Sequence, residues 1–330
     1  MGLVQTLVLS ALVIPVVTLA GALALVLSQP AAGRLVAPAG GSLDFGGVRG
    51  APVPVAPEAF LTRDGSAIAL RRYAGPEGAP LLVLLHGSGW HGGMFEGLAR
   101  ALAAGGHATV LVPDMRGHGA APVRRGDLDR IEQVMEDVAD LIAAHRAPGQ
   151  RVVLGGFSLG GGTVIRFAGG PDSGMIDRAQ LLAPFVHHEA PTTRPASGGW
   201  AVPLLRRIIG LSILNATGIG ALDFLPAVRS RFPAFVLDGP AGGEATPDYS
   251  WRLYKALVPG DGWQAAARGL PPFLLVAGAR DEAFVAEDYA PTLGALTDLG
   301  RYAVLPGLGH LALLDAPEVA QVVADWLHEP

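Results

Sequence analysis

Val152-Val153-Leu154-Gly155-Gly156-Phe157-Ser158-Leu159-Gly160-Gly161-Gly162-Thr163-Val164-Ile165-Arg166-Phe167-Ala168 joins two apolar runs through a single serine. The run Val152 to Phe157 predicts a strand covered on both faces, and Leu159 to Ala168 predicts a helix. Ser158 therefore falls on the turn between them. Such a turn is so tight that side chains near the serine would clash. Glycine two residues before it (Gly156) and two after it (Gly160) lets the backbone fold beneath an exposed hydroxyl, as in a nucleophile elbow. In a chain with 46 glycines these letters alone are weak, since glycines that pack a helix on a sheet give the same spacing. The rest of the chain has to supply the context.

Working outward, Phe60 to Thr62 and Ala67 to Tyr73 flank an Asp64-Gly65 turn and predict a hairpin. Leu81 to Leu85 and Ala108 to Val112 read as buried strands. Met94 to Ala104 reads as a helix, and so does the i, i+3, i+4 series Ile131, Val134, Met135, Val138, Leu141 and Ile142. After Ser158 come a strand Gln180 to Ala183, a strand Phe273 to Ala277, a helix near Val285 to Leu296, a strand Tyr302 to Leu305 and a helix Pro317 to Leu327. This alternation predicts an α/β fold with a mostly parallel central sheet and helices on both faces. From about 185 to 270 the alternation stops. Scattered prolines and the short helical stretches Leu204 to Leu214 and Trp251 to Leu257 mark an inserted, apolar lid.

Two more groups fall just beyond strands. Asp281 follows Phe273 to Ala277 in Gly278-Ala279-Arg280-Asp281, and His310 follows Tyr302 to Leu305 in Pro306-Gly307-Leu308-Gly309-His310. Functional groups of open α/β sheets collect at the carboxyl ends of strands, so Ser158, Asp281 and His310 are expected at one edge. Their chemistry fits together. A serine hydroxyl is a poor nucleophile at neutral pH. His310 would take its proton and return it to the leaving group, and Asp281 would fix the imidazole tautomer and stabilise the imidazolium. Glu282 is an alternative acid beside Asp281, and Asp114 is another if the acid comes from a different strand.

With the order Ser, Asp, His in place, the chain resembles the α/β-hydrolase superfamily, in particular its lysophospholipase, monoacylglycerol lipase and serine aminopeptidase-like branch. The resemblance runs from about Phe60 to Leu327. It is carried by His86-Gly87-Ser88-Gly89, by Pro113-Asp114-Met115-Arg116-Gly117-His118-Gly119, by the Ser158 turn and by the Asp281 and His310 loops. It implies that Asp281 is the acid, that the backbone N–H groups of Ser88 and Leu159 form the oxyanion hole, and that His86 braces the oxyanion loop. It does not fix the substrate, because the branch also holds peptidases, thioesterases and cofactor-free haloperoxidases.

Other features have plainer readings. His91 and His118 lie in loops that border the expected pocket. His187-His188-Glu189 has the letters of a metal site, but adjacent histidines point apart and no third ligand is indicated, so a lid loop is expected. Gly160-Gly161-Gly162 lacks the Gly-Lys-Ser/Thr ending of a phosphate loop and reads as close helix packing. No cofactor and no metal are called for.

The absence of cysteine excludes a thiol nucleophile and a disulfide scaffold. A net charge of −5 offers no basic surface, so no nucleic-acid partner is expected. Half of the residues are hydrophobic, and part of that excess lies at the start of the chain. No charged side chain precedes Arg34, and residues 1–27 read as one transmembrane anchor; as a helix, Leu3 to Leu27 would reach roughly 37 Å. A signal peptide cleaved near Ala37-Pro38-Ala39 is the rival reading, disfavoured by the length of the run and its lack of a basic start. Residues 28–57, with five prolines, read as a Pro/Ala/Gly-rich linker, leaving 58–330 as the catalytic domain. The expectation is a membrane-anchored serine hydrolase that cleaves a carboxylic ester through an acyl-enzyme, with a lipid ester such as a monoacylglycerol or lysophospholipid as its substrate. A membrane-anchored binding module without turnover is the alternative from a different class.

Overall fold

The computed structural model describes residues 3–30, 33, 35–37, 42–45, 55–239 and 242–329, with side chains from 13 onward. The chain starts with helix α1 (Leu3–Ser28) and then a hairpin of β1 (Glu58–Leu61) and β2 (Ala67–Tyr73). The order continues β3 (Leu81–Leu85), α2 (Glu96–Ala104), β4 (Thr109–Pro113), α3 (Gln133–His145), β5 (Val152–Phe157), α4 (Leu159–Ala168) and β6 (Arg178–Leu182). The insertion holds β7 (Ala201–Pro203), α5 (Leu205–Ala216), β8 (Pro226–Ser230), α6 (Ala234–Leu237), β9 (Asp248–Ser250), α7 (Trp251–Leu257) and α8 (Trp263–Arg268). The chain then completes the sheet with β10 (Phe273–Gly278), α9 (Tyr289–Gly294), β11 (Gly300–Leu305) and α10 (Pro317–Leu327).

The eight-stranded sheet has the order β1-β2-β4-β3-β5-β6-β10-β11. Only the β1–β2 and β2–β4 pairs are antiparallel, so the rest is the parallel sheet that the alternation predicts. Every residue of β3, β5, β6 and β10 is buried, which is why their sequences show no polar alternation. Leu85 pairs with Gly156, Phe157 with Leu182, and Gly278 with Leu305, so these strands end at a common edge. Helix α2 packs with α10, and α4 with α7 and α8, as two groups against the sheet.

The insertion contains something the sequence did not signal, a three-stranded antiparallel sheet β7-β8-β9. Its strands are three to five residues long, and Pro203 and Pro226 sit within them, so no period of two can develop.

The N-terminal region also departs from expectation. Helix α1 stands where the anchor was predicted, but its last turns are packed rather than free. Ala22 and Val26 are buried with Leu211, Leu214 and Trp251 of the insertion. A Cβ on Gly210 of α5 would lie 2.5 Å from the carbonyl oxygen of Ala22, so the two helices meet backbone to backbone there. Among the described residues no helix is long and apolar enough to cross a membrane, so the expected anchor finds no support in the fold. The described parts of 28–57 are not a free linker either. Val36 bridges to Phe232, the Arg229 guanidinium donates to the Gly33 carbonyl, and Leu43 is buried. The proposed cleavage site at Ala37-Pro38-Ala39 lies partly outside the described residues.

Candidate active site

Ser158 follows β5 with φ 53° and ψ −118°, a conformation that side chains with a Cβ rarely adopt. Its backbone is pinned on both sides. The N–H donates to Leu182 at 2.9 Å, and the carbonyl accepts from Phe185 at 2.8 Å and Gly162 at 3.2 Å. A Cβ on Gly156 would lie 2.3 Å from the Gly160 carbonyl oxygen, and one on Gly160 would lie 2.1 Å from that of Leu85. The glycines at these two positions are therefore required by the turn. Gly161 and Gly162 face Pro184 and the Phe185 carbonyl at similar range, which gives the glycine run its packing role.

Asp281 and His310 come together as a buried pair beyond β10 and β11. His310 Nδ1 lies 2.8 Å from Asp281 Oδ2, and both residues are 2% exposed. The other carboxylate oxygen, Asp281 Oδ1, accepts from the N–H groups of Ala283 and Phe284, each at 2.8 Å. With Nδ1 donating to the carboxylate, Nε2 is left as the lone-pair nitrogen. The His310 ring sits between Phe157 and Phe284, with ring centroids 4.6 and 5.2 Å away. Glu282 does something else. Its carboxylate accepts the His310 backbone N–H at 2.8 Å and so holds the loop rather than the ring. Asp114 is committed elsewhere, to Arg71 at 2.6 Å and to the Gly92 N–H at 2.8 Å.

Ser158 and His310 both line a cavity of about 500 Å³ beneath the insertion, walled by apolar groups such as Phe185, Ile208, Trp251 and Val258. No hydrogen bond joins Ser158 to His310 among the described residues; such bonds are commonly long until substrate binds. A larger cavity of about 810 Å³ lies elsewhere, lined by Arg71, Trp90, Arg116 and Glu244. It contains none of Ser158, Asp281 and His310, so chemistry rather than size identifies the site.

The loop after β3 carries Ser88, and among the described residues neither its N–H nor that of Leu159 has a protein acceptor. Leu159 opens α4, whose unpaired N-terminal N–H groups carry partial positive charge. The insertion braces the Ser88 loop twice. Trp200 Nε1 donates to Ser88 Oγ at 2.7 Å, and Tyr249 Oη accepts the Gly89 N–H at 2.6 Å. Tyr249 Oη also meets His118 Nε2 at 2.6 Å, while His118 Nδ1 faces the Arg116 carbonyl at 3.0 Å. His86 accepts the Met115 N–H on Nε2 at 3.0 Å and donates from Nδ1 to the Gly87 carbonyl at 2.9 Å. Burial pushes His86 and His118 down to about 3, so both work as neutral braces. Trp200 and Tyr249 gave no signal in the sequence, because an aromatic in a lid reads as ordinary packing.

His91 and His118 line the larger cavity and not the one that holds Ser158. His187 and His188 do not point apart as expected. A turn closed by the Ala190 N–H on the His187 carbonyl brings the rings to 4.2 Å, and the ligand atoms of His187, His188 and Glu189 lie within 4.8 Å of one another. The Glu189 N–H already occupies His187 Nδ1 at 3.3 Å, and His188 and Glu189 are exposed.

The fold, with a buried histidine and aspartate at the strand edge beside a serine on a strained turn, is that of the α/β-hydrolases. The chain belongs to the family described as serine aminopeptidase, S33, whose model matches residues 77–317. It is 45% identical over 83 residues to the pimeloyl-[acyl-carrier protein] methyl ester esterase of Chromobacterium violaceum, a match covering 25% of this chain and 28% of that one. It is 30% identical over 167 residues to the monoglyceride lipase of Homo sapiens, covering 48% and 52%. These matches span about a quarter to a half of the curated relatives. A solved membrane phospholipase A superposes with a TM-score of 0.56 at 18% identity, covering 100% of this chain and 98% of its own. The family model and these relatives carry hydrolase descriptions, of an aminopeptidase, an esterase and a lipase.

Proposed function

We propose that the chain is a serine hydrolase that cleaves a carboxylic ester through an acyl-enzyme. The observation that carries this is the His310–Asp281 pair, 2.8 Å apart, opening on the same apolar cavity as Ser158. In this reading His310 Nε2 takes the Ser158 proton as Oγ attacks the ester carbonyl, and Asp281 stabilises the imidazolium. The oxyanion falls to the N–H groups of Ser88 and Leu159. His310 then protonates the leaving alcohol and later activates a water that releases the acid.

A lipid ester, a monoacylglycerol or a lysophospholipid, is supported by the character of the cavity. Among the described residues its lining holds a single carboxylate, Asp261, which is almost fully exposed. An aminopeptidase needs an anionic group inside its pocket to bind an α-ammonium, so the apolar lining favours an acyl chain. The monoglyceride lipase relative points the same way. The test is a panel of p-nitrophenyl esters, monoacylglycerols, lysophospholipids, thioesters and aminoacyl amides with wild type and Ser158→Ala. Ester turnover should dominate and fall by about 10⁴-fold or more in the variant. Turnover that survives the substitution would remove Ser158 from the mechanism.

Attachment to a lipid surface through α1 belongs to the same proposal. Val13, Ile14, Val16, Val17 and Leu27 are exposed on the helix, and nearby Leu205 and Ile209 are exposed on α5. The protein should co-sediment with phospholipid vesicles, and its recovery in the supernatant would contradict the attachment.

A further inference from the structure

Two cavities meet at the reacting groups, and they differ greatly in size. Ser88, Ser158, Trp200 and His310 line both the cavity of about 500 Å³ and a second one of about 40 Å³. An ester held with its carbonyl carbon at Ser158 must send its two substituents in different directions, one on the carbonyl side and one on the oxygen side. The larger arm takes a long apolar chain. The smaller one leaves room only for a compact group.

The small arm is small because the N-terminal segment fills it. Leu43, 7% exposed, and Phe45 both line it, together with Phe157, Phe232 and Leu314. Phe45 packs into an aromatic cluster, with ring centroids 5.8 Å from Trp200 and 6.3 Å from Phe232. Trp200 in turn holds Ser88 Oγ at 2.7 Å. The neighbouring residues Trp90 and Met94 line the small arm on one side and the cavity of about 810 Å³ on the other, so space exists next to the plug. A segment whose composition reads as a mere linker thus closes one end of the active site.

We infer that Leu43 and Phe45 are specificity-determining residues, which restrict the substrate to an ester with one long apolar substituent and one compact one. The inference rests on the serine-hydrolase reading of the site and adds the shape of the substrate to it. A compact alcohol or acid fits the second arm, whereas a bulky head group would have to displace Leu43 and Phe45.

The experiment uses two ester series that share ethyl acetate as their first member. One is the ethyl esters of acids of rising length, the other the acetate esters of alcohols of rising length. Wild type should accept rising length in one series and reject it in the other. The Leu43→Ala/Phe45→Ala double variant should move the ratio of kcat/KM between the long members of the two series by about tenfold or more toward the rejected series, the scale at which a few methylenes are discriminated. Leu43→Trp should move it the opposite way, so a loss of folding in one variant leaves the other as a test. A ratio unchanged in both variants, or wild type equally tolerant of both series, would overturn the inference while leaving the hydrolase reading intact. If wild type cleaves no member, ethyl acetate included, the hydrolase reading fails and this one falls with it.

Discussion

At the scale of single residues, the site is a division of labour between two adjacent carboxylates. Asp281 holds the His310 ring through Nδ1 and is itself held by two backbone N–H groups, while Glu282 holds the His310 backbone. Substituting them should therefore give very different results. Asp281→Asn keeps the shape but favours the wrong imidazole tautomer, and kcat should fall by about 10⁴-fold. Glu282→Gln keeps an acceptor for the His310 N–H, and its kcat should stay within about tenfold of wild type, as expected for a neutral acceptor replacing a charged one. Steady-state kinetics on one p-nitrophenyl ester is sufficient, and equal losses in the two variants would show that the acid has been assigned wrongly. The residues alone left Glu282 open beside Asp281, and the family resemblance pointed to Asp281, the carboxylate that faces the ring. The choice depends on how the turn after β10 exposes the Ala283 and Phe284 N–H groups to Asp281.

At the scale of elements, the insertion does more than cover the site. Trp200 and the strand residue Tyr249 hold the loop that carries Ser88, so the lid positions a candidate oxyanion donor. Tyr249→Phe removes an acceptor from the Gly89 N–H and the partner of His118 Nε2. The loop should loosen, and kcat should drop by about 10-fold with KM nearly unchanged, short of the 10²- to 10³-fold typical of losing an oxyanion donor outright. A rise in KM at constant kcat would instead make Tyr249 a binding residue. The sheet strands were legible because burial on both faces leaves unbroken apolar runs: β3 and β5 fall where the sequence places them, as does helix α4 after the serine. Helix α9 was overestimated, since Val285 to Leu296 contains only Tyr289–Gly294 after a 3-10 turn. The strands β7 and β9 could not be read, because three residues carry no period. The burial of Leu43 was equally hidden, since it depends on a distant aromatic cluster and not on local pattern.

At the scale of the whole molecule, helix α1 and the described residues Gly33, Val36 and Phe45 all contact the insertion, where the composition alone divided the chain into anchor, linker and lid. Two buried neutral histidines couple the fold to pH. In the unfolded chain an imidazole takes up its proton near 6.5, whereas burial pushes His86 and His118 down to about 3. Between these values the unfolded state binds more protons, so their contribution to stability is complete above about pH 6.5 and is lost as pH falls toward 3. Each contributes a slope of up to about 1.4 kcal/mol per pH unit. Urea midpoints measured from pH 7 down to 4 should fall, and His118→Gln should flatten the slope by about one proton. An unchanged slope would mean that His118 is not held neutral in the fold.

The central claim, that Ser158 is a nucleophile activated by His310, is tested most directly by covalent labelling with a fluorophosphonate followed by peptide mass mapping. Wild type should carry the label on the peptide that contains Ser158. Ser158→Ala should stay unlabelled, and His310→Ala should label far more slowly. Wild type that remains unlabelled while a control esterase reacts, or a label found on another residue, would contradict the account.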